Sequence, residues 1–140
     1  MQKKYEFLEH TADAKFRAYG NNLEEAFSNA ALAMTSIIAD GKVKPVIMAN
    51  ITVLGKDQKA LLYNFLEEFL FLIDTENIFL SEIKKIKISK KNEEFALEAT
   101  ISADDIKNYK THGDIKAVTY NEMEINEEKN NCMVQVVVDI

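Results

Sequence analysis

The residues best equipped for chemistry stand at the end of the chain. Val136-Val137-Val138 reads as a β-strand running into Asp139 and Ile140. An aspartate and a chain-end carboxylate are then expected side by side at an ordered edge, where most chains carry a frayed polar tail. Two hard anionic oxygen groups held together repel unless a cation or a hydrogen-bond donor stands between them. The end of the chain is therefore a candidate site.

The register of the last hairpin brings further groups to it. Val134, Val136, Val138 and Ile140 share one face of the final strand, leaving Gln135, Val137 and Asp139 on the other. In the preceding strand Ile115, Ala117, Thr119, Met123 and Ile125 form the less polar side. Matching these faces across a loop centred near Glu128 sets Met123 opposite Val134, Thr119 opposite Val138 and Val118 opposite Asp139. A slip of one residue would bury Asp139 and expose the valines. Lys116 and Tyr120 then become the diagonal neighbours of Asp139 on the polar face, and Ile140 turns its side chain inward. The rival reading is an ordinary surface ion pair, of little energetic consequence in a chain with 23 acidic residues.

Other candidates are thinner. His10 and His112 are the two histidines, and neither has metal-ligand spacing to other donors. Asp104 and Asp105 with His112 and Asp114 could form a metal cluster, but turn and strand-end chemistry accounts for them more simply. The four glycines are isolated, so there is no phosphate loop or dinucleotide fingerprint. Nothing resembles an activated serine, and Cys132 falls on the core side of its strand. No self-contained active site is visible.

The elements that must position these groups follow from periodicity. Tyr5 to Glu9 and Lys15 to Tyr19 read as strands joined by His10-Thr11-Ala12-Asp13-Ala14. Asn22 caps a first helix, with Glu25 three residues on as its reciprocal partner, and Asp40-Gly41 ends it. Val43 to Leu54 is the next strand, with Pro45 near its entry. A second helix, capped by Asp57, runs to about Asp74. Its apolar face (Leu61, Leu62, Phe65, Leu66, Phe69, Leu70, Ile73) is broad enough to pack between a sheet and a helix, or to be a partner-binding surface. Strands around Ile83–Ile88 and Phe95–Ile101 precede a polar connection from Asp104 to Asp114. The last two strands, about Asp114 to Ile125 and Cys132 to Asp139, flank the loop Asn126–Asn131. Two helices against largely antiparallel sheet define an α+β fold, and residues 1–140 read as one domain.

Composition bounds the function. A net charge of −6 disfavours broad nucleic-acid binding, which wants clustered Lys and Arg. One cysteine excludes an internal disulfide and fits a reducing, cytoplasmic setting. No signal peptide is expected from Met1-Gln2-Lys3-Lys4, and the most apolar stretch, Leu61 to Ile73, is too short and too acidic to span a bilayer. A cytoplasmic protein with no membrane contact is expected.

Three segments carry a family resemblance: Phe7-Leu8-Glu9-His10-Thr11-Ala12-Asp13 with Ala18-Tyr19-Gly20, Ile115-Lys116-Ala117-Val118-Thr119-Tyr120 with Met123-Glu124-Ile125, and the terminal Val138-Asp139-Ile140. The helix Ala60 to Asp74 fits as well, so the match spans essentially the whole chain. The chain resembles archease, the small protein partner of the RNA-splicing ligase. The resemblance implies a protein cofactor, not an enzyme, that speeds attachment of GMP to the ligase's histidine and supports repeated turnover in tRNA splicing. It also implies metal-binding positions at Asp13, Asp139 and Ile140, the last through its carboxylate, and a functional lysine at Lys116. His10 and Tyr120 are possible supporting residues. Calcium is the ion expected by resemblance, while oxygen-only ligands would equally suit magnesium or manganese. Many family members place a histidine after the Thr-Tyr pair, where this chain has Asn121 on what the register makes the inward face. A role borne by that histidine does not carry over.

Two rival functions stand beside this one. A chaperone or modulator of an RNA-modifying enzyme, such as a tRNA methyltransferase, would act through the second helix. A metal-dependent hydrolase would use the acidic rim, and would need an activated water and a base.

Overall fold

The computed structural model describes residues 3–140. Chain order is β1 (Tyr5–Leu8), β2 (Asp13–Gly20), α1 (Leu23–Ile38), β3 (Ile47–Gly55), α2 (Gln58–Glu76), β4 (Ile78–Lys91), β5 (Glu94–Asp105), β6 (Ala117–Glu128) and β7 (Asn131–Asp139). The strands form two antiparallel sheets, β1-β2-β7-β6 and β3-β5-β4. Both helices touch both sheets: α1 meets β2 and β4, and α2 meets β3 and β6. The fold is α+β, as the segregation of apolar patterns predicts.

Each helix begins where a strand runs out against it. A Cβ on Gly20 would lie 2.5 Å from the Ala26 nitrogen, and one on Gly55 would lie 2.4 Å from the Leu61 nitrogen. Only glycine allows either strand end to press on the first turn of its helix. Two residues later a cap starts the helix. The Asn22 side chain accepts from the Glu25 N–H at 2.8 Å, and Asp57 accepts from the Ala60 N–H at 2.8 Å. The reciprocal arm of the first cap reaches one residue further back than expected, since Glu25 accepts from the Asn21 N–H.

The apolar stripes of the helices meet the inner sheet faces in one core. Phe27 of α1 lies 6.0 Å, centroid to centroid, from Phe65 of α2, and both are fully buried with Phe16, Leu61, Leu62, Leu97 and Val134. Each such side chain contributes about 1.5–3 kcal/mol by leaving water. The main face of α2 is thus consumed by packing, although Phe71 on its flank stays 57% exposed. Among the described residues, no helix is long and apolar enough to cross a membrane.

Local departures have local causes. The strand expected from Val43 begins only at Ile47, two residues after a proline that has no N–H for a ladder. Asp104 and Asp105 extend β5, so the polar connection is shorter than expected. The loop expected over Asn126–Asn131 is a tight turn at Lys129-Asn130, where Asn130 takes φ +60° and Glu128 pairs with Asn131.

Candidate functional site

Asp13 opens β2 directly opposite Asp139 of β7. Opposed residues of an antiparallel pair carry their Cβ atoms about 4.5–5.5 Å apart on one face, and like charges there are destabilising. On the other side of β7, Asp139 faces Ala117, and the Lys116 N–H donates to the Asp139 carbonyl at 2.7 Å. Asp13, Lys116, Asp139 and Ile140 therefore converge at one end of the four-stranded sheet. Among the described residues neither Asp139 nor Lys116 makes an ion pair.

The expected hairpin register is corrected by a bulge. Thr119 pairs with Val137 and Glu124 with Gln135, so β6 advances five residues while β7 advances two, and three residues are extra. An odd insertion flips the alternation on which face matching depends. Val118 therefore faces Val138 rather than Asp139, and Thr119 faces Val137 rather than Val138. Neither Lys116 nor Tyr120 is a diagonal neighbour of Asp139, because Ala117 takes the facing place and Lys116, one residue along, alternates to the other face. The Tyr120 ring stacks on Tyr63 of α2 at 4.5 Å with planes 7° apart, and Tyr120 is 53% exposed. Asn121 is exposed rather than inward, as is Ile140 at 45%.

The bulge delivers a residue that alternation had missed. Glu122 bends over the outer sheet face and accepts from Lys15 Nζ at 3.0 Å. Its other oxygen lies 2.9 Å from His10 Nε2. These two partners hold the Glu122 carboxyl below its ordinary range, His10 first and Lys15 second. The opposite ring nitrogen, His10 Nδ1, lies 3.5 Å from Asp13 Oδ2 and has no hydrogen-bond partner, although it is shielded from solvent. Buried Gln135 pins the bulge: it accepts from Arg17 Nε at 2.9 Å and donates to the Glu122 carbonyl at 2.7 Å and to Glu124 Oε2 at 2.8 Å. Ala12 (φ +66°) and Glu122 (φ +53°) both sit in the left-handed region. That costs about 1 kcal/mol or more for a residue with a side chain.

The remaining acidic candidates are accounted for by local structure. Asp104 is buried and accepts from the Tyr109 hydroxyl at 2.7 Å, from Asn108 at 3.2 Å and from the Asp105 N–H at 2.8 Å. Asp105 caps the 3-10 turn Ile106–Asn108. The ring of His112 reaches the Ser36 carbonyl at 3.0 Å. A groove of about 1020 Å³ runs between α1 and the edge strand β4, and none of the corner residues lines it.

The donor chemistry of the corner suits a hard cation. Two aspartates and adjacent main-chain oxygen are ligands for calcium, magnesium or manganese, not for a thiophilic metal. Among the described residues, no three His, Cys, Asp or Glu side chains form a ready cage. Asp13 and Asp139 alone would leave coordination positions open to oxygens from elsewhere.

Comparison with known proteins agrees with the resemblance read from the motifs. The model of the Archease protein family matches residues 5–140. Protein archease of Methanosarcina acetivorans is 40% identical over 141 residues, covering 99% of this chain and 97% of that protein. Protein archease of Methanothermobacter thermautotrophicus is 39% identical over 140 residues, covering 99% of each. The solution structure of a Methanobacterium thermoautotrophicum protein superposes with a TM-score of 0.84 at 37% identity, covering 99% of this chain and all of that one. A crystal structure from Thermotoga maritima, described as an archease and possible chaperone, gives a TM-score of 0.61 at 18% identity, a likeness of fold alone. The family match along nearly the whole sequence, together with relatives near 40% identity, settles the assignment: the chain belongs to the archease family.

Proposed function

We propose that the protein is a cofactor of the RNA-splicing ligase and acts through the Asp13–Asp139 corner. The observation that carries this reading is the direct pairing of Asp13 with Asp139, with Lys116 fixed alongside. Carboxylates placed in mutual repulsion are arranged for a cation. A divalent ion bound there, with Asp13, Asp139 and the Ile140 carboxylate as its ligands, would supply positive charge for a nucleotide's phosphates. Asp13 and Asp139 orient that charge outward, and their incomplete ligand set leaves room for oxygens of the ligase's own nucleotide site. Lys116 contacts phosphate or an acidic ligase group. A chain of net charge −6 is ill suited to gripping RNA, so recognition falls to the ligase protein. Calcium is the ion the family resemblance favours, with magnesium and manganese satisfying the same oxygen chemistry.

A time course of ligase guanylylation, with and without the protein and across several divalent ions, tests this. Stimulation should vanish for Asp139→Ala while the thermal transition persists. Unchanged guanylylation would refute the assignment. A second reading, a chaperone or modulator of an RNA-modifying enzyme, draws on the description of the Thermotoga maritima protein as a possible chaperone. Its seat here would be the exposed flank of α2 around Phe71, since the main face of that helix is buried.

A further inference from the structure

We propose that Glu122 and His10 are positioning residues: together they form a strut from the β6 bulge that fixes the carboxylate of Asp13 for ion binding. The inference deepens the proposed function and rests on the corner being an ion site.

Three observations converge on it. The first is connectivity: Glu122 Oε2, His10 Nε2, His10 Nδ1 and Asp13 Oδ2 follow one another at 2.9 Å and 3.5 Å across the ring. The second is that the inner end of this line is unfinished. His10 Nδ1 is shielded from solvent, lacks a hydrogen-bond partner and faces the Asp13 carboxylate at a distance that a small movement would close. The third is that both ends are built with backbone that ordinary side chains avoid. Ala12 folds the loop back so that His10 returns beside Asp13, and Glu122 turns the bulge over the sheet. Strained backbone that the surrounding structure holds in place is a pointer to function.

The two halves of the strut have separate tasks. Glu122, itself fixed by Lys15 at 3.0 Å and through its carbonyl by Gln135 at 2.7 Å, holds His10 at Nε2 at 2.9 Å and sets the ring plane. His10 then presents Nδ1 to the edge of Asp13, limiting the rotamers the aspartate can explore. A carboxylate that needs no reordering binds an ion more tightly, and outer partners of this kind are worth 10–100-fold in affinity. The three extra residues between Thr119 and Glu124 are what take Glu122 out of plain register with β7.

The test compares Glu122→Gln, which keeps a hydrogen-bonding group for His10, with Glu122→Met, which has similar length and none. The Glu122 side chain is 46% exposed, so both variants should fold, and their melting temperatures are recorded. Ion affinity is read directly by calorimetry with calcium and with manganese, and ligase guanylylation is titrated against each ion. Glu122→Met should bind about tenfold more weakly and need correspondingly more ion for half-maximal stimulation, with the maximum retained. Glu122→Gln should stay within about threefold of the parent protein. Equal loss in both variants would overturn the strut in favour of a plain charge effect, and no loss in either would overturn it outright. Asp139→Ala serves as the reference. If it too binds ion and stimulates normally, the failure belongs to the proposed function rather than to the strut.

Discussion

Two aspartates, each at the end of a strand in a different sheet, show how differently the same side chain can be used. Asp104, at the end of β5, is buried and receives three donors from Tyr109, Asn108 and the Asp105 N–H. Asp139, at the end of β7, is exposed and stands opposite another aspartate. The first carboxylate has its charge satisfied by hydrogen bonds and contributes to folding. The second is left in repulsion, a cost that packing alone does not explain and that a bound cation would remove. Carboxylates with complete hydrogen-bond shells mark structure, and those without mark candidate sites.

The largest expected effect breaks the contrast on the functional side. Asp139→Ala should return ligase guanylylation to the rate of the ligase alone, and Asp13→Ala should do the same. Appending a short Gly-Ser tail after Ile140 should weaken ion binding and stimulation while leaving the melting temperature alone, because the tail crowds the corner without touching the core.

A second effect breaks the contrast on the structural side. The Tyr109 hydroxyl, with lesser help from the Asp105 N–H and Asn108, holds the Asp104 carboxyl below its ordinary range. The stabilisation this implies is present in full above the ordinary carboxylate range and is lost as pH falls through the lower folded-state value. Tyr109→Phe should therefore lower the melting temperature by several degrees at neutral pH, and the deficit should shrink in acid. It also strips the Lys44 N–H of its acceptor at 2.7 Å, so some loss persists at every pH. A deficit that is constant with pH would show that Asp104 is not the group being served.

Smaller effects sharpen the picture. Lys116→Ala should reduce ligase stimulation without changing ion affinity, since Lys116 meets Asp139 through its main chain. Asp139→Asn should leave the melting temperature within about 2 °C of the parent or raise it slightly, because it relieves repulsion against Asp13. A large drop would mean that Asp139, like Asp104, is a structural residue.

The sequence made some of this legible and hid the rest for physical reasons. Caps at Asn22 and Asp57 are decided within four residues, so local chemistry reveals them. The hairpin is also local, which is why Lys116, Asp139 and Ile140 could be brought to one edge in advance. Asp13 could not, because its place depends on β2 pairing with a strand from the far end of the chain. The bulge escaped because face matching assumes strict alternation. A signal was present in Tyr120-Asn121-Glu122, a run with no apolar alternation between Thr119 and Met123. Polar residues that interrupt a two-residue period are what an inserted turn of strand requires. Reading that interruption as a bulge would have freed Tyr120 from the corner and brought Glu122 towards it.

The outer margin of β6 has a consequence for behaviour at high concentration. It ends the four-stranded sheet, and an unprotected margin of this kind invites another chain to add a strand. Here Glu67 of α2 takes the outward Val118 N–H at 2.8 Å, Tyr63 stacks on Tyr120 beside it, and the strand then kinks away. No straight row of free amides remains along that stretch to template a neighbour. The irregularity that turns Glu122 towards His10 therefore also guards this side of the molecule against fibre-like growth, and a variant with a straightened β6 should be the first to precipitate.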